Sequence, residues 1–444
     1  MKLNYKRTLL VGLAFLSINA FWQMYDGIVP KILKYTFDLG ESKTGVIMAM
    51  DNILALFLLP FFGTLSDRCK SRLGRRTPFI IVGTVLAVIL MNFLPLLDNS
   101  YFAAPEQWKF TAFILVLFFL LIAMAIYRSP AVALMPDVTP KPLRSKGNAV
   151  INLTGAIGGI SYLILTGFLY PSSKTEGLDH VNYQLLFWIV SGIMVVSVLI
   201  LVLTIRERKL SREVEAYERA HPEDDLTETD ASGKAVMPAP VRRSMIFLLL
   251  SVALWYFGYN GITTFFTTYA QERWGMAIGD ANKCLTLAMA FAIVSYLPVG
   301  MAASKVGRKK CILFGVALLA ASFFACFIHT LVTPHFTPVL YVFFALVGVA
   351  WATINVNSFP MVVEMAKGSD TGKYTGLYYT FSTAAQIVTP MAAGWLLEHV
   401  SYDSLLPYAS ICVALAFLTM LPVRHGDNRP NAKAGLEAFE DLDV

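Results

Sequence analysis

Charged residues are scarce in this chain of 444 residues. Asp, Glu, Lys and Arg together make up 15% of it, whereas 56% of the residues are hydrophobic. A soluble helical protein needs polar faces on most of its helices, and the long apolar runs show none. Crossing a bilayer takes about 20 consecutive apolar residues, and runs of that length recur from end to end. The sequence therefore predicts an integral membrane protein with many spans.

Cysteine, histidine and the common catalytic motifs are also scarce. The five cysteines are scattered without a CxxC pair, which predicts small packing residues and no disulfide framework. The six histidines form no cluster, and the sequence has no HExxH, GxSxG or glycine-rich dinucleotide-binding loop. We therefore predict that the protein is not an enzyme and that it carries no cofactor and no metal ion.

Twelve apolar segments are each long enough to form a transmembrane helix. Lipid offers no partners to backbone N–H and C=O groups, so a crossing segment must satisfy them internally as a helix. The sequence thus predicts an all-α membrane protein with twelve transmembrane helices, at residues 8–30, 44–64, 77–97, 109–134, 149–170, 182–205, 244–269, 283–304, 311–332, 338–358, 374–396 and 404–423.

The distribution of the 36 Lys and Arg residues predicts the orientation. Most of them fall in segments that lie inside when the N-terminus is cytoplasmic, as the positive-inside rule requires. We therefore expect a multi-pass protein of a bacterial cytoplasmic membrane with both termini in the cytoplasm. The net charge of +6 reflects this loop bias and gives no sign of nucleic-acid binding.

A polar segment, residues 206–243, separates two sets of six predicted spans. It begins with a charged stretch that predicts a short helix to about Ala220, and an Asp-, Glu- and Ser-rich stretch predicted to be disordered follows. The chain is thereby divided into an N-terminal six-helix half at 1–205, a cytoplasmic linker at 206–243, a C-terminal six-helix half at 244–425 and a cytoplasmic tail at 426–444.

Three short patterns recur in the same order in both halves. YDGI at 25–28 is echoed by YNGI at 259–262, and GRR at 74–76 is echoed by GRK at 307–309. Asp137, after the fourth span, is echoed by Glu364 after the tenth. This order predicts a parallel six-plus-six repeat, the layout of a transporter whose substrate site lies between its halves.

The most specific stretch follows the second span and reads PFFGTLSDRCKSRLGRRTPF at 60–79. Its small residues allow close helix approach, and its acid and arginines predict a charge cluster on a turn that changes partners as the halves move. A positive-inside stop signal would explain the arginines but not the acid. The stretch resembles the signature loop of the major facilitator superfamily. With ALMPDVTP at 133–140, the chain resembles the glycoside–pentoside–hexuronide:cation symporters and the related sucrose–proton symporters.

This resemblance implies the major facilitator fold of two six-helix pseudo-repeats. It also implies a symporter that moves a sugar or glycoside together with H⁺ or Na⁺. The two stretches and their repeat partners supply a gating loop, whose residues here are Gly63, Asp67, Arg68, Arg72, Gly74, Arg75, Arg76, Asp137, Arg144 and Glu364.

The coupling ion depends on acids within the spans. Sodium-coupled melibiose-type members of the family carry two cation-binding carboxylates in the second span, and the aligned positions here are Ala55 and Leu59. Their absence favours H⁺, which needs one titratable acid and no cage of ligands. Asp26 and Asp51 are the proton-coupling candidates, because neighbouring carboxylates in low dielectric cannot both ionise cheaply. Alternatively, Asp26 lies at a wetted outer lip and is merely solvated.

A sugar site needs aromatic faces and a few amides in an otherwise apolar cleft. A charge within the membrane is functional by default, so Arg128 is expected to donate hydrogen bonds to substrate hydroxyls or a carboxylate. Packing or an interfacial belt is the alternative for each aromatic. The substrate-binding candidates are Asn19, Trp22, Gln23, Tyr25, Arg128, Asn152, Trp255, Tyr256, Tyr259, Asn260, Asn355, Asn357, Tyr378 and Gln386.

The function favoured by these observations is secondary active transport. We expect a proton-coupled sugar or glycoside symporter that works by alternating access as a monomer, with the sugar, H⁺ and the lipid bilayer as its partners. A transporter of amphiphilic compounds such as drugs or lysolipids on the same fold, a sugar uniporter and a membrane sensor without transport are the alternatives.

Overall fold

The computed structural model describes residues 3–140, 143–220, 238–333, 335–365 and 371–427. Across these ranges the secondary structure is helical, and no strand occurs within them. A π-helical turn, Ile32–Thr36, extends the first helix. The helices are α1 Tyr5–Lys31, α2 Glu41–Asp67, α3 Thr77–Ala103, α4 Gln107–Asp137, α5 Arg144–Leu169, α6 Ser172–Thr175, α7 Gln184–Thr204, α8 Glu207–Ala220, α9 Ala239–Trp274, α10 Ile278–Val306, α11 Arg308–Val332, α12 Val339–Met365, α13 Thr371–His399 and α14 Leu405–Met420.

Every predicted span falls on one of the long helices, so the all-α membrane fold class is confirmed. Eleven segments of the described chain are long and apolar enough to cross a membrane. Among the long helices the one outside that group is α13, which spans 29 residues but carries Thr380, Gln386 and Thr389 among its apolar residues. The short helix α8 coincides with the predicted charged helix of the linker, while residues 221–237 and 428–444 lie outside the described ranges.

The chain forms two compact units. The first holds the residues up to Leu39 together with Met50–Asp225, and the second holds Gly40–Ala49 together with Leu226–Asp443. In the first unit α1 packs against α5 and α7, and α3 packs against α4 and α7. In the second unit α9 packs against α13 and α14, and α11 packs against α12 and α14. Corresponding helices therefore make corresponding contacts, which is the structural form of the predicted repeat. The domain boundaries at 205, 243 and 425 stay a prediction.

Small residues permit the closest helix contacts in each unit. In the first unit a Cβ at Gly12 would lie 2.8 Å from the Thr154 hydroxyl, and Gly83 lies against the backbone of Tyr127. In the second unit a Cβ at Gly258 would lie 2.7 Å from the Ala409 carbonyl oxygen. Such contacts drive helix association where lipid removes the hydrophobic incentive. These contacts determine which faces of α1, α4 and α9 are packed against other helices. The same three helices carry the polar side chains described next.

Candidate functional site

The first unit carries a polar group on α1, in the middle of otherwise apolar helices. The rings of Trp22 and Tyr25 meet edge to face, with centroids 5.5 Å apart. Asp26 follows directly and is partly buried. Neither the Trp22 indole N–H nor the Tyr25 hydroxyl has a hydrogen-bond partner among the described residues, although both atoms are buried. Buried polar groups are normally satisfied, so these two are open to a ligand or to water.

Asp51 on α2 lies close enough to Asp26 for the two carboxylates to interact electrostatically. One Asp51 oxygen accepts hydrogen bonds from the backbone N–H of Asn52 at 2.5 Å and from its side-chain amide at 2.8 Å. Asp26 receives no comparable hydrogen bond within the described ranges. The structure therefore brings the two predicted acids together, with different surroundings.

Arg128 on α4 completes this group. Its guanidinium lies 5.8 Å from the centre of the Trp22 ring, in cation–π range, and it interacts electrostatically with Asp51. No acceptor in the described chain forms a hydrogen bond with the guanidinium. Five N–H donors in a fixed fork are thus held between an aromatic face and a carboxylate. Such a group can donate to sugar hydroxyls or to an anionic ligand.

Three further candidates lie in the same unit but are engaged differently. The Asn19 amide donates to the Phe15 carbonyl of its own helix at 3.0 Å. Asn152 is buried on α5, whereas Gln23 is partly exposed on α1. Asn19 therefore has one donor already used, whereas aromatic, cation–π and electrostatic interactions connect Trp22, Tyr25, Asp26, Asp51 and Arg128 in one polar group.

The second unit carries an aromatic cluster at the equivalent part of α9. Tyr259 stacks on Trp351 of α12, with centroids 3.6 Å apart and planes within 4°. Tyr256 meets the same indole edge to face at 5.5 Å. Trp255 is fully buried, and its indole N–H has no partner among the described residues. Trp351 was not among the predicted residues, because a single tryptophan in an apolar span has no sequence signal that separates binding from packing.

The candidate asparagines of the second unit lie on α9 and α12, the helices that carry the aromatic cluster. The Asn260 amide nitrogen and the Asn355 carbonyl oxygen are buried without a hydrogen-bond partner in the described chain. Asn357 instead donates to the Thr353 carbonyl at 2.9 Å. Tyr378 on α13 has its hydroxyl 3.1 Å from Ser358 Oγ, and Gln386 on the same helix is partly exposed. Asn260 and Asn355 each therefore have a buried amide atom that is open to a ligand.

The gating loop forms a compact ion cluster in the first unit. Arg75 donates two hydrogen bonds to Asp137, from Nη2 to Oδ1 at 2.6 Å and from Nε to Oδ2 at 3.0 Å. Arg76 donates to the same Oδ2 at 2.8 Å and also pairs with Asp67. The hydrogen bonds to Asp137 raise the pKa of Arg75 further above its ordinary value, so this guanidinium is always charged. Asp67 is half exposed, whereas Arg76 is buried. Water therefore screens the charge of Asp67 but not that of Arg76.

Glu207, the first residue of α8, joins this cluster and was missed by the sequence analysis. Its buried carboxylate accepts from the backbone N–H groups of Arg75, Arg76 and Thr77 at 2.7–3.1 Å and from the Thr77 hydroxyl at 2.7 Å. A carboxylate at the N-terminus of α3 satisfies orphan N–H groups and complements the helix dipole. Gly74 has φ +125° and leaves room for this carboxylate, which a Cβ would meet.

The second unit repeats this arrangement with different residues. Arg308 pairs with Glu364, as Arg75 and Arg76 pair with Asp137. The Asp427 carboxylate accepts from the backbone N–H of Lys309 at 2.7 Å, at the start of α11. Gly307 has φ +94°, and a Cβ there would lie 2.8 Å from Asp427. In each unit, a carboxylate that follows the last long helix in the sequence thus binds at the N-terminus of the third helix.

Not all predicted loop residues join these clusters. Arg68 and Arg72 are exposed and make no ion pair within the described ranges. The side chain of Arg144 lies outside the described residues. A Cβ at Gly63 would lie 3.1 Å from Ser129 Oγ, consistent with a close contact between α2 and α4. Among the residues described, no group of three or more His, Cys, Asp or Glu could hold a metal ion.

Twelve long helices in two repeated sets, with an ion cluster at the matching turn of each, define a membrane transport protein. The family model of the Major Facilitator Superfamily matches residues 11–283 and 248–441, so the chain belongs to this superfamily. The expectation drawn from the loop at 60–79 is thereby confirmed.

Several curated relatives are sugar transporters. A sucrose transport protein of Arabidopsis thaliana is 33% identical over 137 residues, which is 28% of this chain and 23% of that protein. The general alpha-glucoside permease of Schizosaccharomyces pombe is 23% identical over 281 residues, 59% of this chain and 49% of the permease. The fosmidomycin resistance protein of Escherichia coli is 28% identical over 206 residues, 44% of this chain and 47% of that protein. The chain thus matches a quarter to half of the length of these relatives.

Solved structures of transporters share the fold. A bacterial homologue of the iron transporter ferroportin superposes with a TM-score of 0.69 at 14% identity, covering 95% of this chain and 99% of the homologue. A peptide transporter superposes with a TM-score of 0.66 at 14% identity, covering 94% and 93% of the two chains. At this identity the likeness concerns the fold alone.

Proposed function

We propose that the protein is a proton-coupled symporter of a sugar or glycoside. The observation that carries the proposal is the pair of carboxylates Asp26 and Asp51 with the guanidinium of Arg128 near Asp51, on three helices whose apolar segments are long enough to cross a membrane. Two neighbouring acids in a medium of low dielectric cannot both be charged at low cost, so the pair forms a site for one proton. Intramembrane acids of this kind mark proton relays in transporters.

The sugar part of the proposal rests on unpartnered polar atoms in each unit and on the relatives. Trp22, Tyr25, Trp255, Asn260 and Asn355 each present a buried polar atom without a partner in the described chain. A sugar supplies several hydroxyls, each of which can donate and accept. The sucrose transport protein and the alpha-glucoside permease to which the chain is similar carry sugars in their names.

Arg128 offers a physical link between the proton and the sugar. While Asp51 is charged, it attracts the guanidinium of Arg128. When Asp51 binds a proton that attraction ends, and the guanidinium can turn its donors to the hydroxyls of a sugar. Binding of the proton and binding of the sugar would then favour each other, as linkage requires. Alternating access of this doubly loaded state yields symport.

The test is transport by the purified protein in proteoliposomes. With an inward pH gradient, the parent should accumulate a radiolabelled glycoside above its outside concentration, and collapse of the gradient should abolish the accumulation. Asp26→Asn and Asp51→Asn keep size and hydrogen-bonding capacity but cannot titrate. At least one of them should lose gradient-driven accumulation and keep sugar exchange between equal pools, because exchange requires no net proton movement.

Other outcomes separate the alternatives. Accumulation by both variants at the parental level would remove the acids from the coupling step. Sugar flux that never exceeds equilibrium in the parent would indicate a uniporter. If no glycoside moves or stabilises the folded protein, an amphiphile becomes the better substrate class, as the likeness to a fosmidomycin resistance protein allows.

The protein is an integral multi-pass membrane protein, and we infer that both termini face the cytoplasm of a bacterial cell. The basic residues of the 68–76 loop and of the 305–310 turn support this orientation under the positive-inside rule. Labelling of Cys69 in the first loop with a membrane-impermeant thiol reagent tests it. In intact cells the label should react only after permeabilisation.

A further inference from the structure

The second unit has a groove that the proposed transport function does not use. α12 packs along both α10 and α11, whereas α10 and α11 contact each other much less. The space between them is a groove of about 360 Å³ over the surface of α12, within the range of small-molecule sites, about 300–1,000 Å³. Its lining residues are Ser295, Pro298, Val299, Ala302, Val306, Lys310, Cys311, Phe314, Val349 and Thr353.

Exposed apolar side chains lie at the rim of this groove. Phe314 at its rim is 61% exposed and Val306 is 46% exposed, and large apolar side chains exposed on a membrane protein face lipid. Val349 and Thr353 form the floor. Successive residues of a helix are rotated by about 100°, so Val349 and Trp351 point to nearly opposite sides of α12. The groove is therefore separate from the aromatic cluster.

One end of the groove carries an unpaired cation. Lys310 lies in the first turn of α11, is exposed and has no carboxylate partner within the described ranges. Its neighbours are engaged, since Arg308 pairs with Glu364 and the Lys309 ammonium donates to the Leu421 carbonyl at 2.7 Å. Asp427 is also near, but its carboxylate is held by the backbone N–H of Lys309.

The repeat shows that the gating loop does not require Lys310. The equivalent residue of the first unit is Thr77, which is buried and donates to Glu207. The same loop therefore functions in the first unit without a cation at this place. In the second unit a lysine stands there, at the edge of an apolar groove, and Lys305 at the end of α10 adds a second exposed cation.

We propose that this groove binds an anionic phospholipid of the surrounding bilayer. One acyl chain lies between α10 and α11 over Val299, Val349 and Phe314, and the phosphate is bound by Lys310. A basic residue at the end of an apolar groove between transmembrane helices matches the two parts of such a lipid, and anionic lipid in the cytoplasmic leaflet attracts basic residues near the membrane surface.

Native mass spectrometry of the detergent-purified full chain tests this proposal. The probes are phosphatidylglycerol and phosphatidylcholine with the same acyl chains. The parent should bind the first phosphatidylglycerol at least five-fold more tightly than phosphatidylcholine. Lys310→Gln should remove most of that preference. Lys309→Gln is the matched control, because the Lys309 ammonium is already bound to a carbonyl, and it should keep the preference.

A second variant addresses the acyl chain. Ala302 lies in the groove and is exposed, so Ala302→Trp fills the groove without disturbing the packed side of α10, and it should weaken binding of both lipids. Thermal unfolding of each variant checks that the fold is intact. Equal affinity of the parent for the two lipids, or parental affinity in both Lys310→Gln and Ala302→Trp, would overturn the proposal.

Discussion

The two units of this transporter share a framework and differ in the side chains that it carries. At equivalent places on the first helix of each unit, the first has Asp26 and the second has Asn260. Asp26 interacts with Asp51, which in turn interacts with Arg128. The helix that carries Asn260 also carries Tyr259, which stacks on Trp351. The first unit thus collects groups that change or carry charge, and the second collects faces and amides that cannot titrate.

This difference indicates a division of labour within a repeated architecture. A duplicated framework gives each unit the same helix contacts and the same ion pair at the matching turn. Specialisation then needs only a few substitutions at positions that the framework does not use. In our proposal, the first unit carries the proton and the second carries most of the sugar's apolar contact.

The largest expected effect comes from moving the acid between the units. Asp26→Asn should reduce uphill sugar accumulation to the equilibrium level, and adding Asn260→Asp should not restore it. The acid of α10, Asp280, lies in its first turn and pairs with Lys283, so we expect an acid at 260 to lack a second carboxylate with which to share a proton. Accumulation ratios in proteoliposomes with a pH gradient measure this. Recovery in the double variant would show that either unit can carry the coupling proton.

The next effect concerns the aromatic face of the second unit. Trp351→Ala removes the ring on which Tyr259 stacks, and aromatic pairs are worth about 0.5–1.5 kcal/mol beyond area burial. We expect KM for the sugar to rise about ten-fold, which corresponds to about 1.4 kcal/mol, and Trp351→Phe should retain most of the affinity. Trp395→Ala, at a tryptophan that is 52% exposed, is the control. Equal KM values for Trp351→Ala and the parent would assign Trp351 to packing.

An intermediate effect is expected at Asp67. This acid belongs to the gating loop of the first unit and has no acidic counterpart in the second. The corresponding stretch of the second unit, residues 298–310, contains no acid. Asp67→Asn removes the ion pair with Arg76 and should slow turnover several-fold, while KM stays within about three-fold because no sugar contact changes. Initial uptake rates against sugar concentration measure both quantities. Parental turnover by a well-expressed variant would reduce the loop to a signal for topology.

A smaller effect is expected when either of the carboxylates that cap α3 and α11 is replaced, and its size should differ between the two. Glu207 accepts hydrogen bonds from three backbone N–H groups and one hydroxyl, whereas Asp427 accepts from the backbone N–H of Lys309. Hydrogen bonds to a charged group are worth about 1.5–3 kcal/mol. Glu207→Gln should therefore destabilise the folded protein by about that amount, and Asp427→Asn by less. Thermal unfolding in detergent compares them, and the reverse order would contradict this assignment.

The smallest effect is a pH dependence expected from His180 in the first unit. In its 176–183 loop, His180 stacks on Phe102 and lies 3.7 Å from Asp98, and burial lowers the pKa of His180. The folded chain then binds fewer protons than the unfolded chain as the pH falls through about 6.5, so this contribution to stability is lost in acid. The second unit instead has a 2.7 Å pair of Arg273 and Asp403, and arginine does not titrate there.

His180→Gln should accordingly reduce the fall in melting temperature between about pH 7.5 and pH 5. Arg273→Gln should shift the melting temperature by a similar amount at both pH values. An unchanged pH profile in His180→Gln would place the titrating group elsewhere.

Hydropathy and the loop motifs were sufficient to predict the fold, because twelve crossing helices and a repeat leave strong periodic signals. α13 was found from sequence although it is not among the eleven segments of the described chain that stand out as spans by length and composition. The side chains were harder. Asp26, Asp51 and Arg128 stood out because a charge in an apolar span is costly. Trp351 did not, since a tryptophan belongs in such a span in any case. Glu207 was hidden among the many charges of the linker, where only the fold shows which one turns inward.

The capping role of Glu207 also fixes where this chain can be opened for engineering. A reporter protein inserted between Ile205 and Glu207 would separate the carboxylate from α7 and leave the start of α3 without its acceptor. An insertion after Ala220 keeps α8 whole. A transporter expressed as two fragments should be divided at the same place, because the first fragment then brings Glu207 and the second brings Asp427. Each fragment would carry the carboxylate that completes its own third helix.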